Sequence, residues 1–564
     1  MLNSIDKIGD WNPQLLRELK GRLKPFPVII AIVTSLATQL ITFLYQLREF
    51  PDLQSKKDIN IRYQYCNLPN LVKEQYSSWV SCPRNKINMQ LWWQDHWNYM
   101  FIFLCMIFMF TLLVAGTYLI INDLSQEERK GTLNFIRLSP QSETSIFTGK
   151  MLGVPVLIYL VTLAAIPFHI LTGISANLPF GNILFFYLIL AASCIFFYSV
   201  ALLFGIFGGS LLSGFKPWLG SGVVLLFLWV SIQFTNHESY HNYGAFARLF
   251  SPTDITHYFF PDSFSRTPAL QKLQFFNFAV GKSFIGVIAL HLLNYGLWTY
   301  WAWQGLKRCF RNPNATIFSK QQSYLIFTCF QAVLIGFYIS ENYKNWNTFY
   351  EGMGVLYLWN LLIIVPLCAL MLTHRQAIQD WARFRFYKDE NSTYLSKKSL
   401  TWELLFGEKS PVILAIATNL LIASSAFLVV CLKANIDNFQ NSDFSKIFSV
   451  LLVFVSLIMI YATVAQIMVM LKNSKRTLWA AGTTSALIIL PIMILGVLNV
   501  YPSNISWLFT VGFWFAAEQS TFPEILTAFV CQVLILGLLN WYLIKQVKSA
   551  GESATKALFS QAKV

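Results

Sequence analysis

About twelve runs of some 20 apolar residues constrain this chain more than any other feature. They lie at roughly 27–47, 99–121, 152–173, 182–208, 218–235, 278–305, 324–340, 353–373, 411–432, 447–471, 478–498 and 522–544. A helix of about 20 apolar residues crosses the roughly 30 Å hydrocarbon core of a bilayer. Barrel strands are shorter and alternate in polarity, so these long unbroken runs predict helices. Composition agrees: 12% of the 564 residues are charged and 55% hydrophobic, against about 25% charged in soluble domains. A soluble globular enzyme and a disordered tail-rich chain are both excluded. The expected fold is an all-α polytopic membrane protein of about 12 transmembrane helices. No cleavable signal peptide is read, because some 26 residues rich in charge precede the first run.

The net charge is nevertheless +15. In a soluble domain that would suggest nucleic acid; here the question is where the charges sit relative to the bilayer. With the N-terminus in the cytoplasm, about 28 of the 42 Lys and Arg fall in inside segments. About 13 fall outside, seven of them in the long loop 48–98. Short loops decide orientation, so both termini are expected in the cytoplasm. The positive charge then faces anionic headgroups, membrane lipids are partners and nucleic acid is not.

Of nine cysteines, Cys66 and Cys82 alone fall in an external loop, where they can form a disulfide or stay as two free thiols. The spans divide into two six-span halves, 1–316 and 317–564. Asn12-Pro13 precedes the first span and Asn312-Pro313 the seventh. In each half the longest cytoplasmic loop follows the second span, ending in Gly149-Lys150 or in Gly407-Glu408-Lys409. An even number of spans separates the halves, which predicts parallel repeats. Segment 11–24 sets Leu15, Leu16, Leu19 and Leu23 on one stripe opposite Arg17, Lys20 and Lys24. That is the pattern of an interfacial helix, although a merely basic leader reads similarly.

Loop 122–150 is the most specific stretch. Ser125 followed by Glu128 has capping-box spacing and predicts a helix starting near Gln126. Pro140 disfavours helix at Ser139, so it should stop near Leu138. Glu127, Glu128, Arg129 and Lys130 crowd its first turn, and Leu133, Phe135 and Ile136 give it an apolar patch. A solvated connector needs no such patch, whereas a docking helix does.

In order, this loop reads Glu128-Arg129, Gly131-Thr132-Leu133, Leu138-Ser139-Pro140 and Gly149-Lys150. In that order and place it resembles the transmembrane subunits of ABC-2-type transporters. The resemblance implies a permease of an ATP-driven exporter in the plasma (inner) membrane, with an interfacial N-terminal helix and six spans per half. It also implies a coupling helix, here 126–138, docking through Glu127, Glu128, Arg129, Gly131, Thr132, Leu133, Phe135 and Ile136 onto a separate ABC ATPase subunit. ATP and Mg would bind that partner, with no cofactor in this chain. Closure of the ATPase would push the coupling helices and switch the permease between inward- and outward-open states. Two departures stand out. Asn134 occupies a position that is often acidic, and the second-half loop 374–410 lacks Gly-Thr-Leu. There Gln379, Asp380, Trp381 and Arg383 form a second docking helix by position alone.

Enzymatic motifs are weak. Gly281-Lys282-Ser283 has Phe276 where a P-loop needs glycine. His237-Glu238-Ser239-Tyr240-His241 matches HExxH, with His257 or Asp254 as a third ligand. A membrane-embedded zinc peptidase is therefore one alternative function. An ion-coupled secondary transporter is another, although no Asp or Glu lies in the middle of any predicted span. Gln39, His169, His291, Asn294, Asn360, Asn419, Gln466 and Gln532 serve as interhelical glue or as ligands. The tryptophans near span ends read first as an interfacial belt, then as a cargo cavity.

Overall fold

The computed structural model describes residues 8–51, 58–67, 79–207, 216–236, 242–259, 269–312, 315–341, 343, 346–391, 400–433, 441–473 and 475–552. The chain divides into two compact units, Met1–Leu273 with Ala279–Arg311, and Gln274–Phe278 with Asn312–Val564.

Unit 1 begins with α1 (Pro13–Arg22) and α2 (Pro25–Leu47), followed by the antiparallel strands β1 (Ile59–Arg62) and β2 (Trp79–Cys82). Next come α3 (Met89–Arg129), α4 (Thr132–Leu138), α5 (Glu143–Gly153), α6 (Val156–Ser175), α7 (Phe180–Ile206) and α8 (Lys216–Asn236). The short helices α9 (Ala245–Arg248) and α10 (Thr253–Phe259) precede α11 (Phe284–Arg311). Unit 2 holds α12 (Lys320–Tyr338), α13 (Trp346–Met371), α14 (Arg375–Asn391), α15 (Leu400–Phe406) and α16 (Ile413–Lys433). It ends with α17 (Asn441–Val469), α18 (Arg476–Val497), the short α19 (Phe513–Gln519) and α20 (Phe522–Gly551).

Among the described residues, ten helices are long and apolar enough to cross a membrane: α2, α3, α6, α7, α8, α13, α16, α17, α18 and α20. The other two expected spans form helices of 28 residues (α11) and 19 residues (α12). Polar side chains dilute them: His291, Asn294, Lys307, Arg308 and Arg311 in α11, and the opening Lys320-Gln321-Gln322-Ser323 of α12. The fold is an all-α polytopic membrane protein.

The second span differs most from expectation. Instead of ending near 121, α3 runs unbroken for 41 residues. At 1.5 Å per residue that is about 61 Å, twice the hydrocarbon thickness. It carries a π-helical turn at Phe110–Ala115, where the Tyr198 hydroxyl donates to the Leu112 carbonyl at 2.8 Å. A π-turn disturbs the regular ladder, and here a side chain takes up one of its carbonyls. The helix start expected at Gln126 is therefore incorrect. Ser125 is buried mid-helix, and the break falls at Gly131, whose φ of 71° is the left-handed conformation that glycine adopts without penalty. The stop at Leu138 is where Pro140 places it.

Cys66 and Cys82 form a disulfide with Cα atoms 5.9 Å apart, on a core that includes Tyr65 and Trp92. In unit 2, residues 274–278 make a tight turn against α12. The Phe276 amide donates to the Gly336 carbonyl at 2.7 Å and the Asn277 amide to Ser340 Oγ at 2.8 Å.

Candidate functional site: the loop after the second long helix

Loop 122–150 is built on six charged side chains from three helices of unit 1. Lys150 of α5, only 1% exposed, lies 2.6 Å from Asp123, 2.7 Å from Glu127 and 3.6 Å from Glu18. Arg22 of α1 lies 2.6 Å from Asp123 and 3.3 Å from Glu18. Arg17 pairs with Glu127 and, at 3.2 Å, with Glu18. Three cations thus meet three carboxylates and the cluster is neutral. Burial alone would lower the Lys150 pKa, but Asp123, Glu127 and Glu18 together raise it above its ordinary value. Glu18, Asp123 and Glu127 converge as a metal site would require. The Lys150 ammonium sits among them and supplies the positive charge itself.

The sequence builds this cluster through one close approach. Asn12 caps α1 by accepting from the Leu15 amide at 2.9 Å, and its own amide donates to the Ser145 carbonyl at 2.8 Å. Pro13 follows at the first helical position, where no amide is needed. Gly149 makes room, since a Cβ there would sit 2.8 Å from the Leu15 backbone nitrogen and 2.9 Å from Gln14 Cβ. Gly149-Lys150 is therefore a packing glycine followed by the cation that neutralises the acids of α1 and α3. Helix α1 buries Gln14, Leu15 and Glu18 while Leu23 is exposed, so its inward face is not the leucine stripe read from the sequence.

The docking residues read from the sequence have separate fates. Glu127 is buried in the cluster, and Glu128 pairs with the buried Lys216 at 3.1 Å. Gly131 forms the break, Thr132 donates to the Glu127 carbonyl at 3.2 Å, and Arg129 is exposed. Leu133 and Ile136 point into unit 1, whereas Phe135 is 77% and Leu138 85% exposed. The outward apolar pair is thus Phe135 and Leu138, and Leu138 was missed. Both pairs are three apart, so the spacing does not choose between them. Behind this helix the Arg137 guanidinium lies 6.0 Å over the Phe310 ring, within cation–π reach.

In unit 2, Gln379, Asp380, Trp381 and Arg383 lie on α14. The Trp381 indole donates to Glu403 at 3.1 Å, Asp380 and Arg383 are exposed, and Gln379 is half-buried. The inward residues are Ile378 and Ala382. Nearby, Lys320 at the start of α12 donates to the Leu404 carbonyl (2.6 Å), Ser410 Oγ (2.7 Å) and the Pro411 carbonyl (3.0 Å). Burial pushes its pKa down to about 8.

The remaining motifs are placed as follows. Gly281-Lys282-Ser283 forms a short 3-10 turn before α11, with Gly281 against the Leu270 carbonyl and Lys282 exposed. His237, Glu238 and His241 lie outside the described residues, as does the His257 side chain. Asp254, considered as a third zinc ligand, is buried against Arg248 (2.6 Å) and His291 (3.6 Å). Burial would raise its pKa, but Arg248 and His291 hold it at about 2. A buried carboxylate therefore packs against α11 although none lies inside a predicted span. In the sequence Asp254 is marked only as a candidate third ligand beside HExxH, and nothing there pairs it with Arg248 or His291.

In comparisons with known proteins, no family model, curated protein or solved structure matches the chain.

Proposed function

We propose that the chain is the transmembrane permease subunit of an ATP-driven ABC-2-type transporter, an exporter coupled to a separate ATPase subunit. In this reading it has twelve spans in two parallel six-span halves, in the plasma membrane with both termini cytoplasmic. ATP and Mg belong to the partner.

The observation that carries the proposal is α4. It is a seven-residue helix with Phe135 and Leu138 bared on one side and Leu133 and Ile136 anchored on the other. Two exposed apolar side chains on a short braced helix fit a partner groove, as apolar anchors do in helix recognition. Glu127, a few residues before α4, belongs to the buried ion cluster, so a push on α4 acts on α3, α1 and α5 together. Order and spacing of the loop's motifs support the family.

The test is co-purification from native membrane. Wild-type chain should bring down a P-loop ATPase, and Phe135→Asp with Leu138→Asp should lose it while insertion is unchanged. A chain that purifies alone with intrinsic ATP hydrolysis would sink the reading. The zinc-peptidase alternative predicts one tightly bound zinc lost in His237→Ala. The secondary-transporter alternative predicts uptake driven by an ion gradient without ATP.

A further inference from the structure

Unit 2 contains a cavity of about 240 Å³ between α13, α16, α17 and α19. Its floor is aromatic: the Tyr357 ring lies 4.7 Å from Phe513 and 5.1 Å from Phe454. The Tyr357 hydroxyl is committed to the Val511 carbonyl at 3.0 Å. Val450 and Leu451 form an aliphatic wall, and Leu428 and Phe448, both exposed, stand at the opening. An apolar void of this kind does not hold water, which needs two to four polar partners.

The position of the opening decides what enters. Leu428 and Phe448 lie on α16 and α17, helices apolar enough to span a bilayer. The α17 lining runs from Ile447 to Phe454, starting two residues into its apolar stretch Ser445–Val469. At 1.5 Å per residue it lies within about 14 Å of that end, inside one leaflet. At the same end, Lys446 Nζ donates to the Glu518 carbonyl at 2.5 Å, and Lys433 closes α16 exposed. The side chain of Glu518, whose carbonyl accepts from Lys446, is itself exposed. Lys433 is two residues from the lining Cys431 and Lys446 is next to the lining Ile447, and cationic side chains beside an apolar slot match a phosphate above a hydrocarbon chain. The volume is below the roughly 300–1,000 Å³ of pockets for drug-sized ligands, which suits one chain.

We propose that this cavity binds one acyl chain of a bilayer phospholipid, inserted sideways between α16 and α17 with its phosphate at Lys433 and Lys446. The test uses the full chain in phosphatidylcholine nanodiscs containing phosphatidylcholine with a mid-chain diazirine. Adducts are mapped by mass spectrometry, with Leu490, exposed on α18, reporting ordinary lipid contact. Labelling at Leu428, Phe448 and Leu451 should exceed that at Leu490 at least fivefold. Val450→Trp, which fills the slot, should abolish the excess, and Lys433→Gln with Lys446→Gln should lower it two- to fourfold. If Val450→Trp does not fold, the lysine pair alone decides. Labelling equal to that at Leu490, an excess unchanged in the folded variants, or equal labelling by a diazirine fatty acid without phosphate would each overturn the site.

Discussion

Each unit fastens the loop after its second long helix with a buried lysine, by different chemistry. In unit 1, Lys150 meets three carboxylates that two arginines also pair. In unit 2, Lys320 meets two carbonyls and a hydroxyl. The first arrangement is an ionic lock joining three helices. The second is a dipole cradle at one turn, where Gly407 sits against the Glu403 carbonyl. Removing one member of a buried ionic set leaves uncompensated charge, whereas removing an ion held only by dipoles also removes its desolvation cost. The two lysines should therefore differ in what their mutation costs and should respond oppositely to pH.

The largest difference is expected from neutralisation. Lys150→Met leaves three carboxylates facing two arginines in a buried site and should cost about 3–5 kcal/mol. Lys320→Met strands three acceptors, at about 1–3 kcal/mol each at most, but removes the buried charge, so its net loss should be much smaller. Unfolding in mixed micelles at pH 7 measures both, and limited proteolysis should cut α1 faster in Lys150→Met. Equal losses would break the comparison.

Alkaline pH sharpens it. The folded pKa of Lys320, about 8, lies below its unfolded value, so between them the unfolded chain binds more protons and stability rises with pH. The penalty is present in full below pH 8 and is relieved towards the unfolded pKa of about 10.4, a change of about 3 kcal/mol. Lys150 has the opposite sign: its pKa is raised, so its stabilisation is present below the unfolded pKa and lost as pH climbs through the folded one. Relative to Lys320→Met, the wild-type chain should gain stability from pH 8 to 10. A flat difference would remove the cradle's distinct behaviour.

Steric effects come next. Gly149→Ala improves helix propensity by under about 1 kcal/mol, but its Cβ would press on the Leu15 backbone nitrogen, which cannot swing away as a side chain can. Overpacking of this kind costs about 1–3 kcal/mol, and the net loss should appear as release of α1. A stability gain in Gly149→Ala would mean that α1 is not held there.

Much of the scaffold was legible because the bilayer enforces it: all twelve apolar runs fall on helices, and ten of those helices are long and apolar enough to span. Pro140 likewise placed the end of α4, since proline restricts the residue before it. The lock was not legible. Lys150 and Glu18 are separated by more than a hundred residues, and sequence carries each charge without its partner. The Ser125–Glu128 pattern misled for a related reason: a cap requires a helix that begins there, and α3 was already helical for the 36 residues from Met89 to Leu124.

The smallest effect on stability is expected at the two residues that the proposed docking depends on most. Phe135 and Leu138 touch mostly solvent, so Phe135→Ala and Leu138→Ala should change stability by less than about 0.5 kcal/mol. Leu133→Ala, buried beneath them, should cost about 2–5 kcal/mol. Partner capture should follow the reverse order, because a docking surface depends on outward anchors while the inward pair only shapes it. Measuring both quantities on the three variants separates a docking helix from a merely packed one. If Phe135→Ala and Leu138→Ala retain full ATPase capture, the apolar face of α4 has another purpose and the contrast between its two faces is only structural.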